Sequence, residues 1–279
     1  MAPSLVLQFA FKTDTGLVRS HNEDAIELNA DYKIAVLADG MGGYNAGEVA
    51  SGIATSVFSA TLEQRLQQQA EKRHAPGSKF LQCLMKDSVC SANAKILEAA
   101  RRQPQFSGMG TTLVAALFHR KRVVLAHIGD SRAYRFRRGV LAQLTHDHSQ
   151  LQEQIDAGLV SPEWARFAPN KNLITRALGV AASLDVETGV HLIEADDLYL
   201  LCSDGLSDML SNEQMVSLIN SNRVDLDLLC GSLVDAANDN GGRDNISVIL
   251  IKVQSCPPAE HGLRHRLSTW LQRLIPASA

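Results

Sequence analysis

Several things are missing from this chain, and each absence removes a class of function. No stretch of its 279 residues approaches the roughly 20 consecutive apolar positions that a bilayer-spanning helix needs. There is no surplus of positive charge either. With 27 Lys and Arg against 30 Asp and Glu, a formal charge of -3 is not that of a nucleic-acid binder, which usually carries a strongly basic face. Paired cysteines are lacking as well: Cys83, Cys90, Cys202, Cys230 and Cys256 are odd in number and show no metal-ligand spacing, as expected of reduced thiols in a cytoplasmic protein. Before Leu5-Val6-Leu7-Gln8-Phe9-Ala10-Phe11 there is no basic region, and after it no cleavage-type end, so it reads as a first strand rather than a secretory leader. The expectation is a soluble, cytoplasmic protein whose 45% hydrophobic content can build a sizeable core.

What is present is a repeated strand ending. Lys33-Ile34-Ala35-Val36-Leu37 leads into Ala38-Asp39-Gly40-Met41-Gly42-Gly43, which places a carboxylate at a strand tip with glycines that permit close backbone approach. Taken singly, Asp-Gly is ordinary turn chemistry. The ending recurs, however, at Gly129-Asp130-Ser131 after Arg122–Ile128, at Asp204-Gly205 after Leu198–Ser203, and at Arg243-Asp244-Asn245 before Ile246–Ile251. Acidic groups brought together on rigid strands repel one another unless cations neutralise them, and an all-oxygen ligand set selects Mg or Mn over Zn.

Seven blocks, in order, carry a resemblance. They are Thr13–Ala25, the Asp39 loop, Gly110-Thr111-Thr112, Gly129–Tyr134, Leu144–Ser149, Ser203–Leu206 and Arg243–Ile246. Together they resemble the metal-dependent serine/threonine protein phosphatases of type 2C (the PPM family) in their bacterial form, over about residues 8 to 253. The resemblance implies hydrolysis of phosphoserine and phosphothreonine in proteins, reversing a bacterial serine/threonine kinase, with two Mn or Mg ions and room for a third. It implies that Asp39 bridges both ions and Gly40 adds its backbone carbonyl. Asp204 and Asp244 complete one site, Glu23 reaches the other through water, Asp24 supports the metals, and Asp130 with Asp204 takes a weaker third ion. Arg19 holds the substrate phosphate, a task suited to the planar two-donor fork of a guanidinium. A water between two dications then loses its proton near neutral pH and attacks phosphorus in line, with no covalent protein intermediate.

One position departs from many eukaryotic relatives. Where they have a histidine after the Asp-Gly pair that can protonate the leaving alkoxide, this chain has Met41, and a thioether donates no proton.

For architecture, apolar residues at three- and four-residue spacing predict a helix over Asn45 to about Gln69 and a second over Ser78 to Arg101. Hairpins are expected over Gly108–Leu144, with turns at His119-Arg120-Lys121 and Arg138-Gly139, and amphipathic helices over Asn212–Asn220 and Asp225–Asn238. This is an α+β chain, and the expected fold is an αββα sandwich of two antiparallel sheets flanked by helices, with the metal centre at one end. Residues 1–254 form the phosphatase domain, and about 146–178 break the strand pattern as a flap bordering the active site. In that flap, Gln150–Ala157 and a segment starting at Ser161-Pro162-Glu163 read as short helices, while the role of His148 stays open. Residues 255–279 are a tail in which Leu263, Leu267, Trp270, Leu271 and Leu274 share one helical face bordered by arginines, for packing on the domain itself or for docking on a partner or membrane surface. Two other functions are compatible with such a chain, a phosphopeptide-binding scaffold and a hydrolase of small phosphorylated metabolites. The presence of Asp39, Asp204 and Asp244 speaks against the first.

Overall fold

The computed structural model describes residues 4–42, 46–71, 76–161 and 173–256. Eleven strands among them form two antiparallel sheets. In one sheet β1 (Val6–Asp14), β11 (Ile246–Ser255), β10 (Leu198–Cys202), β7 (Arg132–Arg137) and β8 (Val140–Gln143) lie in that order. The other runs β2 (Asp24–Asn29), β3 (Ile34–Met41), β5 (Leu113–His119), β6 (Arg122–Ile128) and β9 (Glu187–Leu192), with the short β4 (Gly110–Thr111) paired to the end of β3.

The strands read as continuous apolar runs because both faces of each sheet are covered. Along β3, Ile34, Val36 and Ala38 face helices α1 (Ala46–Ala70) and α2 (Ser78–Arg102), while Ala35 and Leu37 face the opposite sheet. From the other sheet, Ala133, Tyr199, Leu201, Ile249 and Ile251 meet them in the shared middle layer, where Phe118 and Tyr199 pack edge to face at 5.2 Å. The outer face of that sheet carries the fourth layer. After the short helix α3 (Gln150–Asp156), which answers the expected Gln150–Ala157, this layer is formed by α4 (Asp204–Ser207), α5 (Asn212–Asn222) and α6 (Leu226–Asp239), with Leu229, Leu233 and Val234 of α6 packed on Leu200, Val248 and Leu250. The expected four-layer sandwich is therefore what forms.

Three local features differ from the sequence expectation or refine it. Gly108–Phe118 is not one strand: it breaks at Thr112, whose side chain and backbone both turn to Asp39. The β9 strand, not identified from the sequence, adds to the edge of β6, its Gly189 and interspersed polar residues obscuring the pattern. The last strand continues to Ser255, which lies opposite Val6, and Cys256 still packs on the middle layer. The β7–β8 turn is the two-residue hairpin expected at Arg138-Gly139, with φ of 52° and 83°. The start of α1 at Asn45, the helix expected from Ser161-Pro162-Glu163 and the tail helix lie outside the described residues, as does Gly43. None of the described helices is long and apolar enough to cross a membrane.

Candidate metal centre

The β2–β3 pairing sets Asp24 directly opposite Asp39. Side chains so placed have Cβ atoms about 4.5–5.5 Å apart, and like charges there are destabilising. The fold increases the strain on this pair by bringing up more acid. Asp244 arrives just before β11, Asp204 at the first turn of α4 after β10, and Asp130 in the turn after β6. Burial first, and then repulsion from Asp24, Asp204, Asp130 and Asp244, holds the Asp39 carboxyl well above the usual carboxylate range. Asp204 is raised in the same way, by burial and then by Asp130, Asp208, Asp244 and Asp24. Asp24 is pushed up to about 7, chiefly by burial, although Ser203 and Ser247 hydroxyls oppose the shift. Asp130 is pushed up to about 6 by burial and Asp147.

The carboxylates are held rather than merely crowded. Asp39 N–H donates to Thr112 Oγ1 at 3.1 Å, while Thr111 Oγ1 and Thr112 N–H donate to the Asp39 carbonyl at 2.8 and 2.9 Å. Thr112 Oγ1 in turn lies 2.6 Å from Ser131 Oγ, which ties the Asp39 strand to the Asp130 turn. Ser203 Oγ donates to Asp24 Oδ2 at 2.9 Å and accepts from Ser247 N–H at 3.0 Å. Asn245 is the staple of the first loop: its Oδ1 accepts from Glu23 N–H at 2.8 Å, and its Nδ2 donates to the carbonyls of Thr15 and His21 at 2.9 and 3.0 Å. The Glu23 carboxylate lies against Gly47 in the first turn of α1, where the helix N-terminus favours negative charge. A Cβ at Gly40 would collide with the Gly47 carbonyl, so only glycine allows the helix and the Asp39 loop to close on each other.

Every acidic residue singled out in the sequence thus converges on one place, together with Arg19, whose Nη2 donates to Asp244 Oδ2 at 2.6 Å. Met41 packs against Gly110. The positioning residues Thr111, Thr112, Ser131, Ser203 and Asn245 carried no assigned role at the sequence level. Their signal was their place directly beside the acidic positions, but a hydroxyl or amide there reads equally as turn chemistry.

His148 and His127 form a second cluster with Glu187. The imidazoles stack at 4.7 Å, His148 Nε2 stands 3.5 Å from Glu187 Oε2, and one ligand atom of each of the three residues lies within 4.8 Å of the others. Gly129 N–H donates to His148 Nδ1 at 3.2 Å, so in the neutral ring the proton sits on Nε2, facing Glu187. That tautomer withholds the Nε2 lone pair from a metal. With His148 N–H donating to the Gly129 carbonyl and Thr175 N–H to the His148 carbonyl, at 2.9 and 2.8 Å, the cluster ties the segments at His148 and Thr175 to the turn after β6.

Divalent metal fits the acidic centre. Among the described residues Asp24 Oδ1 and Asp130 Oδ1 are buried with no hydrogen-bond partner, opposed carboxylates need neutralising charge, and the donors are all oxygen.

Comparison with known proteins agrees with this geometry. The model of the family Protein phosphatase 2C matches residues 18–227. The serine/threonine phosphatase stp of Listeria monocytogenes serovar 1/2a is 38% identical over 246 residues, covering 87% of this chain and 94% of that protein. The serine/threonine protein phosphatase PstP of Mycobacterium tuberculosis is 38% identical over 252 residues, 90% of this chain and 46% of that longer protein. A crystal structure of the M. tuberculosis enzyme superposes with a TM-score of 0.81 at 36% identity, covering 90% of this chain and all of that one. A structure of the PstP catalytic domain in complex with two manganese ions superposes at 0.78, with 35% identity and coverage of 90% and 100%.

Proposed function

The chain belongs to the protein phosphatase 2C family, metal-dependent protein serine/threonine phosphatases, and we propose that its catalytic centre is the carboxylate cluster at the end of the two sheets. The observation that carries this reading is the facing pair Asp24 and Asp39 with Asp130, Asp204 and Asp244 around it, burial and mutual repulsion raising the carboxyls of Asp24, Asp39, Asp130 and Asp204 above the ordinary carboxylate range.

Two Mn or Mg ions, when bound, supply Lewis acidity toward the phosphoryl oxygens and an activated water for in-line attack. Asp39 would sit between them, with the Gly40 carbonyl beside it. Asp204 and Asp244 would complete one site, Glu23 would reach the other through water, and Asp24, oriented by Ser203, would support the pair. Asp130 with Asp204 would take a third ion. Arg19, whose side chain is 52% exposed, keeps guanidinium donors free beyond the one given to Asp244, and these would receive the phosphate of the substrate. Met41 has no proton to give the leaving alkoxide, so that proton comes from elsewhere in the centre.

The substrates are phosphorylated proteins. Their source is a serine/threonine kinase that the enzyme opposes, and both act in the cytoplasm. The domain read as residues 1–254, with Ser255 and Cys256 packed on it, carries the activity, and the rest of the tail to residue 279 serves docking on a partner or membrane surface. The test is Mn-dependent phosphate release from a phosphothreonine peptide and from p-nitrophenyl phosphate, each with and without chelator. Chelator-sensitive release from the peptide is expected; activity confined to small phosphate esters would favour the metabolite hydrolase.

A further inference from the structure

Beside the phosphate-binding position, the β1–β2 loop displays two large apolar side chains in succession. Leu17 is 69% and Val18 68% exposed. Isolated exposed apolar residues are ordinary on protein surfaces. These two differ in being consecutive, in immediately preceding Arg19, and in riding on a loop that is clamped rather than loose.

The clamp is extensive. Leu17 N–H donates to the Gly242 carbonyl at 2.7 Å, Gly16 N–H donates to Asp14 Oδ1 at 2.8 Å, and Asn238 Nδ2 donates to the same oxygen at 3.2 Å. Asn245 Nδ2 holds the Thr15 carbonyl from the other side at 2.9 Å. Gly16 has a φ of 77°, and a Cβ there would collide with the Asp244 carbonyl, so the loop lies directly on the Asp244 segment. The Leu17 side chain passes over Gly242, where an added Cβ would stand only 2.9 Å from its Cγ. Next to that glycine in the chain, exposed Arg243 runs alongside Gly241, its Nε 3.7 Å from where a Cβ there would stand. A clamped loop therefore presents exposed apolar side chains next to Arg19, with a second exposed arginine on the neighbouring Gly241–Asp244 segment.

We propose that Leu17 and Val18 are the docking shelf for the residues flanking the phosphoresidue in a protein substrate. The occupant is an extended segment with a large apolar side chain within two positions of the phosphoserine or phosphothreonine and an acidic group beyond it, met by Arg243. Extended chain advances about 3.3 Å per residue, so the one or two neighbours of a phosphoresidue held at Arg19 span a distance like that which separates Arg19 from Val18 and Leu17 in the chain. Preformed apolar surface on a clamped loop binds with little ordering cost. This inference rests on the phosphatase reading and deepens it.

The test compares wild type with the Leu17→Ser/Val18→Ser double variant in Mn. The substrates are p-nitrophenyl phosphate, a phosphothreonine peptide with leucine next to the phosphoresidue and glutamate beyond, and the same peptide with serine in the leucine position. Turnover of p-nitrophenyl phosphate should be unchanged, which also shows that the variant is folded. With the leucine peptide, kcat/KM should fall roughly tenfold or more in the variant, the usual scale for losing apolar contacts in a binding site. The serine peptide should show wild type and variant alike. Equal wild-type turnover of the two peptides, or an equal loss on all three substrates, overturns the shelf while leaving the phosphatase reading in place. If wild type releases no phosphate from any substrate in Mn, the phosphatase reading fails and the shelf with it.

Discussion

Arg19 and Asp244 form an ion pair at 2.6 Å across 225 positions of sequence. One end of this pair is the group proposed to take phosphate and the other a group proposed to take metal. Arg19 lies in the loop after β1 and Asp244 just before β11, and those two strands are paired along their whole length, which brings the two side chains together. The carboxylate raises the affinity of the guanidinium for its proton and fixes its direction.

Arg19→Ala should raise KM for phosphopeptides about tenfold or more, in keeping with the loss of a charge-assisted, two-donor contact. The pair is half exposed, so its removal affects Asp244 only modestly. Freed of a competing cation, Asp244 should bind Mn as well as before or about two- to fivefold more tightly, on the scale of an exposed ion pair. Calorimetry showing Mn binding abolished would make Arg19 a structural residue instead.

Asp39→Asn should abolish turnover at any Mn concentration. Because Asp39 faces Asp24, removing its charge should also relieve repulsion, and the melting temperature of the chelator-treated protein should rise. Wild type should instead be stabilised by Mn, by about 2.7 kcal/mol at a hundred times the dissociation constant. The crossover of the two melting curves on adding Mn is the expected signature. A variant that keeps the full Mn-induced shift would contradict the placement of Asp39 between the ions.

Acid should loosen the flap. Burial, then His127 and Arg176, depress His148 from 6.5 to about 4, and burial also lowers His127. A histidine whose folded value is depressed binds fewer protons folded than unfolded, so its contribution is complete above about pH 6.5 and is lost as pH falls toward about 4. The loss is on the order of 2 kcal/mol. His148→Gln should flatten this part of the stability-versus-pH curve, and hydrogen exchange at Thr175 should follow it, since its N–H is bonded to the His148 carbonyl. An unchanged curve would assign the acid sensitivity elsewhere.

Truncation should be placed after Cys256 rather than after Gln254, because Ser255 Oγ donates to the Ser4 carbonyl at 2.8 Å and Cys256 packs on the middle layer. The shortened protein should retain turnover of a small phosphopeptide and lose association with a protein partner or liposome. A lowered melting temperature with liposome and pull-down behaviour unchanged would mean that the tail packs on its own domain.

Much of this was legible in the chain. Strands covered on both faces, such as Ile34–Ala38, declare themselves as apolar runs, and the acidic residues mark where those runs stop. Less legible was anything that depends on which strand lies beside which. The opposition of Asp24 to Asp39 is a register, and the roles of Thr112, Ser203 and Asn245 exist only across segments distant in sequence. The β9 strand escaped because an edge strand with one covered side needs few apolar residues.

The position of β11 has a consequence for how the protein comes into being. It is the penultimate strand of the sheet in space, between β1 and β10, yet the last in sequence among the described strands, and Asp244 stands just before it. On the ribosome, β1 and β10 are made long before the strand that must lie between them. A chain still in synthesis therefore holds Asp39 and Asp204 without Asp244, and without the staple that Asn245 applies to the first loop. The acidic cluster can close only once β11 has emerged, so a nascent chain that stops short of that strand carries Asp39 and Asp204 in a centre still lacking one of its carboxylates.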